Sequence, residues 1–139
     1  MAVTATPIFP QTVKSNVAQI LPADTTTKKT LVTGGTNGSK VESITVASTD
    51  TTTRDLQFWM TISAVDYLLA TVNIPVNSGN TNAIPAVDIL RSAQWPGLSY
   101  DAMGNKILYV ANGAVLKVAC TTTVTAAKEI DVLASGGDF

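Results

Sequence analysis

The sequence predicts an all-β fold: a single-domain antiparallel β-sandwich of jelly-roll type with about eight strands. Three observations carry this. Residues 54–75 alternate apolar and polar side chains over two successive runs, closed by Pro75. A period of two marks a strand with one buried face. Similar short runs recur along the chain between turns rich in Gly, Asn and Thr. Asn112-Gly113 sits between two apolar runs and carries the strongest short hairpin signal, because both residues accept positive φ.

Residues 1–13 show no period. Thr6-Pro7-Ile8-Phe9-Pro10 places two large apolar side chains between prolines. Proline fixes its own φ and holds the preceding residue extended, so the segment reads as an arm. A disordered tail is the plain alternative. Docking of Ile8 and Phe9, on the chain's own body or on a partner, explains why a large aromatic stands there. The sandwich domain then occupies residues 14–139.

Its first strand is expected at 14–21, with Val17 and Leu21, or Ala18 and Ile20, inward, and Pro22 ending it. A second follows at 28–33. The turn at 34–38, Gly-Gly-Thr-Asn-Gly, faintly resembles a phosphate loop. It fails the test: only three residues separate Gly34 from Gly38, Ser39 precedes Lys40, and a strand follows where a helix is needed. The third strand, 40–48, has Val41 out of phase with Ile44 and Val46, which predicts a bulge near Glu42. After a polar turn around Asp50 comes the 54–75 hairpin. Leu56, Phe58, Met60 and Ile62 fall on one face, a turn lies near 64–66, and Leu68, Ala70, Val72 and Ile74 return on one face.

The alternation lapses over 76–106. Val87, Ile89 and Leu90 have helical spacing, and Pro85 suits a first turn, so a short helix is expected at 86–92. A connection this long tends to carry function. Trp95 fits either a plug closing one end of the core or a partner contact, and Leu98 lies beside it. Residues 107–111 and 114–120 are expected to pair as a second hairpin. The last strand is placed at 128–134, and Gly136-Gly137-Asp138-Phe139 reads as a flexible tail.

Composition narrows the chemistry. Of 139 residues, 45% are hydrophobic and 14% charged, with net charge −1. Soluble chains average about 25% charged residues, so this weakly charged surface suits a protein packed against others. The basic residues are scattered, which argues against nucleic acid. Apolar runs fall short of the ~20 residues of a membrane helix. The N-terminus lacks a basic region followed by an apolar one, so no signal peptide is expected. There is no histidine, so the commonest general base and metal ligand is missing. The one cysteine, Cys120, reads as a small buried hydrophobe. The carboxylate pairs Asp50/Asp55 and Glu129/Asp131 read as solvated surface charge, and no calcium-loop pattern occurs. No catalytic residue, cofactor or metal site is expected. Trp59, Tyr67 and Trp95 leave a sugar-binding face open.

Three stretches carry a family resemblance: Thr-Lys-Lys-Thr-Leu-Val-Thr-Gly-Gly-Thr-Asn-Gly-Ser-Lys-Val at 27–41, the Arg-Asp-Leu-Gln-Phe run from Arg54, and 115–132 with its Val-Leu-Lys-Val-Ala-Cys and Lys-Glu-Ile-Asp-Val. In these the chain resembles the small proteins that decorate or cement the heads of tailed bacteriophages. The resemblance implies a sandwich or jelly-roll subunit, often a dimer or trimer, made in the host bacterial cytoplasm and bound outside the virion. There it would bridge neighbouring major capsid proteins without catalysis, nucleic acid or membrane. Ile8, Phe9, Trp95 and Leu98 are the expected contact residues. The other reading is a carbohydrate- or receptor-binding β-module of a phage fibre or adhesin.

Overall fold

The computed structural model describes residues 9–139. Its strands are β1 (Thr12–Ile20), β2 (Lys29–Thr33), β3 (Ser39–Ser48), β4 (Arg54–Ile62), β5 (Val65–Ile74), β6 (Val87–Asp88), β7 (Ser99–Tyr100), β8 (Lys106–Val110), β9 (Val115–Cys120) and β10 (Ile130–Asp138). Eight are long; β6 and β7 have two residues each. The chain is all-β with two antiparallel sheets. One runs β1-β10-β3-β8-β7, with β6 also on β3; the other runs β2-β9-β4-β5.

The pairing is nested. β1 pairs β10, β2 pairs β9, β3 pairs β8 and β4 pairs β5, all antiparallel. The chain behaves as one long hairpin folded over so that its two arms cross repeatedly between layers. Inward residues of both sheets meet in one core, including Ile20, Ile44 and Val46 from one layer and Leu56, Phe58, Leu116 and Val118 from the other. Cys120 is buried there, as its strand pattern predicts. The bulge expected near Glu42 is present: Ser135 faces Ser43 and Gly136 faces Val41, leaving Glu42 unmatched.

Several expectations are corrected. No α-helix occurs among the described residues, and 86–92 is not one. Val87 and Asp88 instead pair with Val46 and Thr45 of β3, and the chain then turns. β8 covers only Ser39–Val41 of β3, so the remaining length of that strand offered backbone groups that two residues could satisfy. Helical spacing over so short a run was a weak competitor.

Residues 107–111 and 114–120 do not form a hairpin. β8 lies in one sheet and β9 in the other, and Asn112-Gly113 is the corner between them. A turn is present, with Gly113 at φ 78° and Ala114 donating to the Ala111 carbonyl, but Asn112 does not share the positive φ. What local sequence does not reveal is whether the strand leaving a turn pairs with the one entering it.

The Gly-rich end at 136–138 is strand. A Cβ on Gly136 would lie 1.9 Å from the Lys40 carbonyl oxygen, so glycine is there to let two backbones touch at the bulge. At the other end of the domain, β1 starts at Thr12, and Gln11 already donates to the Asp138 carbonyl. Ordered pairing therefore begins two residues before the expected boundary at 14.

The β4–β5 hairpin has the tight turn Ser63-Ala64, earlier than expected. Both residues have positive φ, 51° and 64°, without being glycine. A second correction concerns phase. Phe58 faces Ala70 but Trp59 faces Leu68, so Leu69 is an extra residue and Leu68 turns outward beside Trp59. Ala70, Val72 and Ile74 keep the inward face. Ile62 continues the inward phase of β4 but is half exposed, because the hairpin tip overhangs the core.

Left-handed backbone costs an L-residue roughly 1–2 kcal/mol that glycine avoids. Ala64→Gly is therefore expected to raise stability by about 1 kcal/mol in urea unfolding. Gly136→Ala is expected to lower it well beyond that, since its Cβ has no room.

Candidate functional site

Most of the acidic side chains that could do chemistry are committed to holding loops. Asp50 is fully buried, which corrects its reading as surface charge. Its carboxylate accepts from Arg54 Nε at 2.8 Å, from the Thr52 amide at 2.9 Å, and from the Thr125 hydroxyl and amide at 2.7 and 3.0 Å. Arg54 in turn donates to the hydroxyls of Thr122 and Thr125. The β3–β4 turn is thus tied to the β9–β10 connection at one end of the sandwich. Burial alone would push the Asp50 carboxyl up. The Thr125, Arg54 and Thr52 donors outweigh it and hold the group well below the usual carboxylate range. Asp55 stays exposed and accepts from Asn73 Nδ2, while Glu129 and Asp131 share the Gln19 amide at the surface.

At the opposite end Asp138 accepts from Ser39 and from Lys14 Nζ, and both hold its carboxyl low. Lys14 also donates to the Thr33 carbonyl, and Lys29 to the Gln19 carbonyl. These two lysines bridge the neighbouring edges of β1 and β2. On the outer face of the second sheet, Asp66 accepts from Lys28 at 2.8 Å and from Thr61, with Lys117 at 3.4 Å. Lys28 first, then Thr61, lowers its carboxyl. No group of three or more His, Cys, Asp or Glu placed to hold a metal occurs among the described residues. A cleft of about 400 Å³ between Glu42, Asp88, Arg91, Asp101 and Lys106 carries mixed charge and no paired nucleophile and base.

The aromatic residues are not arranged as a sugar platform. Trp95 is 6% exposed and packs on Phe58 with ring centroids 5.4 Å apart. The Trp59 ring is covered by Lys28, whose Nζ lies 3.7 Å from its centroid, and Trp59 Nε1 is buried without a partner. Of the three, Tyr67 alone is exposed.

The expected contact residues separate into three cases. Ile8 lies outside the described residues. Phe9 is 71% exposed. Trp95 and Leu98 are 6% and 8% exposed, and Trp95 packs on Phe58, which is the plug arrangement of the two that its sequence allows. Two other apolar groups are exposed. One follows the arm: Val13 and Val17 on β1 are 89% and 64% exposed, and Leu133 stands opposite Val17 on β10. The other is the overhanging hairpin, with Ile62, Val65, Tyr67, Leu68 and Leu69. The sequence held a signal for the second group. Tyr67-Leu68-Leu69 is apolar on both strand faces, more than one core can absorb. For the first, nothing in 12–20 says which of its two apolar phases faces out.

No protein-family model, curated protein or solved structure matches the chain.

Replacing Asp50 by Ala leaves Arg54 without its counter-ion and the Thr125 amide and hydroxyl without their acceptor. The expected loss is about 3–5 kcal/mol in urea unfolding, the range for removing one partner of a buried pair. The pH dependence has a definite sign. The folded carboxyl titrates below the unfolded value near ~3.9. Its contribution is therefore complete above that value and is lost as pH falls toward the folded pKa. Stability of the wild type should fall more steeply than that of Asp50→Asn below about pH 4, compared by thermal unfolding across pH.

Proposed function

We propose that the protein is a structural virion component of jelly-roll type that binds the outside of a tailed-phage head and cements neighbouring major capsid proteins by surface burial. The strand order β1-β10-β3-β8 facing β2-β9-β4-β5 supports the jelly-roll reading, with the nested pairing that a rolled-up hairpin produces. The observation that carries the function is the exposed apolar surface left after the core is complete. Phe9, Val13, Val17 and Leu133 lie on or beside regular strands, and Gly137 packs so near Pro10 that a Cβ would come within 2.7 Å of it. Pro10 is therefore held at a fixed point next to this stripe.

Burying one valine completely contributes roughly 1.5–3 kcal/mol. Three or four such side chains, repeated over the copies on a shell, suffice to hold a small protein at a seam. Weak surface charge limits the desolvation cost of such contact. The same reading makes the protein non-catalytic and independent of any cofactor. The second reading, a carbohydrate-binding module, finds less support, since Lys28 covers Trp59 and Trp95 lies in the core.

The test is co-sedimentation with intact phage heads. Wild-type protein is expected to bind and to raise the temperature at which heads rupture. Val13→Asp with Val17→Asp, or removal of residues 1–10, is expected to weaken attachment by at least about tenfold, with circular dichroism unchanged. Binding that is equally strong in all these variants would refute the arm-side contact. Absence of the protein from every purified particle would refute the function.

A further inference from the structure

We infer that the outer edge of β5 pairs antiparallel with the same edge of a second copy, making a two-fold dimer through one continuous sheet. Three features of the edge lead to this, and none depends on the capsid reading.

The first is its length and lack of protection. Among the described residues no strand pairs with the outer side of β5, a strand of ten residues. Long exposed edges are ordinarily blunted by lysine, proline or a covering loop. This protein does so at its other margin, where Lys14 and Lys29 reach across to backbone carbonyls of β2 and β1. On β5 the protection is one contact, Gln94 Oε1 accepting from the Asn73 amide at 2.8 Å. From Val65 to Thr71 no such contact occurs, and the one interruption of the edge is the bulge at Leu69.

The second is charge. Asp66 is the single charged residue of β5, and Lys28 and Lys117 already neutralise it from the sheet face. An identical strand laid alongside therefore meets no like charge, unless the two-fold axis passes through Asp66 itself. The third is apolar content. Val65, Tyr67, Leu68 and Leu69 are all exposed, and Ile62 extends the group around the tip. Left in water, so concentrated a group has no structural role; against a copy of itself it is buried.

These limits also fix a register. Between the Ser63-Ala64 turn and the Gln94 contact, the unprotected stretch is centred on Leu68. Antiparallel self-pairing about that centre sets Leu68 against its own copy, and the extra residue Leu69 shifts the flanking residues out of strict one-to-one opposition. A strand edge related to itself by a two-fold axis is self-complementary in its hydrogen bonds, so this interface closes at two chains. The four-stranded sheet of each copy becomes half of an eight-stranded one.

The experiment is sedimentation of the wild-type chain over a range of micromolar concentrations, with a cysteine cross-link as the second measurement. Wild type is expected to double in mass as concentration rises. Leu69→Lys with Tyr67→Lys is expected to weaken self-association at least about tenfold, with unchanged circular dichroism. Leu68→Cys is expected to give a covalent dimer under a mild thiol oxidant. Val13→Cys, more exposed than Leu68 but on β1, stays monomeric, and the native Cys120 is buried and silent. A monomer at all concentrations overturns the inference. So does a trimer, a dimer indifferent to the two lysines, or a Leu68→Cys link that forms no faster than the Val13→Cys one.

Discussion

Strand pairing between distant parts of the chain governs this molecule. Of the four long nested pairs, β4–β5 alone is closed by a two-residue turn. The others join residues separated by about half the chain or more, up to Thr12 with Asp138. Loop-closure entropy opposes such contacts, and they become favourable only when the apolar faces they bring together are buried. The polar clusters at the two ends follow from the same constraint. Asp50 with Arg54 and Thr125, and Asp138 with Lys14 and Ser39, each join segments that the nesting has brought into contact. The first ties together two connections between layers, and the second ties three neighbouring strands of one sheet at its far end.

What was legible in the sequence was whatever depends on near neighbours. The period of two in β4, the phase slip at Glu42, the stop at Pro22 and the Asn112-Gly113 turn are all local, and all are present. What was illegible depends on residues far away. Val87 and Asp88 are strand because β3 had an uncovered length, which their own spacing does not record. Gly136 looked like part of a loose tail, and its purpose appears only beside the Lys40 carbonyl. Asp50 looked like a surface carboxylate until Thr125 closed over it. Trp95 is a related case. A tryptophan in a long loop reads equally well as plug or anchor, and the position of Phe58 decides between them.

The outer surface separates into two kinds of region. Where Lys14, Lys29 and Lys28 lie, the backbone edges and the Trp59 face are covered by ammonium groups. Along Phe9, Val13 and Val17, and along the β5 edge, they are not. A protein with so few charges places them selectively, and the uncovered regions stand out against that economy. The stripe beside the arm and the β5 edge belong to different sheets, so occupation of one leaves the other accessible.

The place of β10 has a further consequence for how the protein is made. It lies between β1 and β3, in the interior of its sheet. On a ribosome, β1 and β3 emerge long before the strand that joins them. Until residues 130–138 clear the exit tunnel, the facing flanks of β1 and β3 stay unpaired, and that part of the sheet can assemble only once β10 arrives.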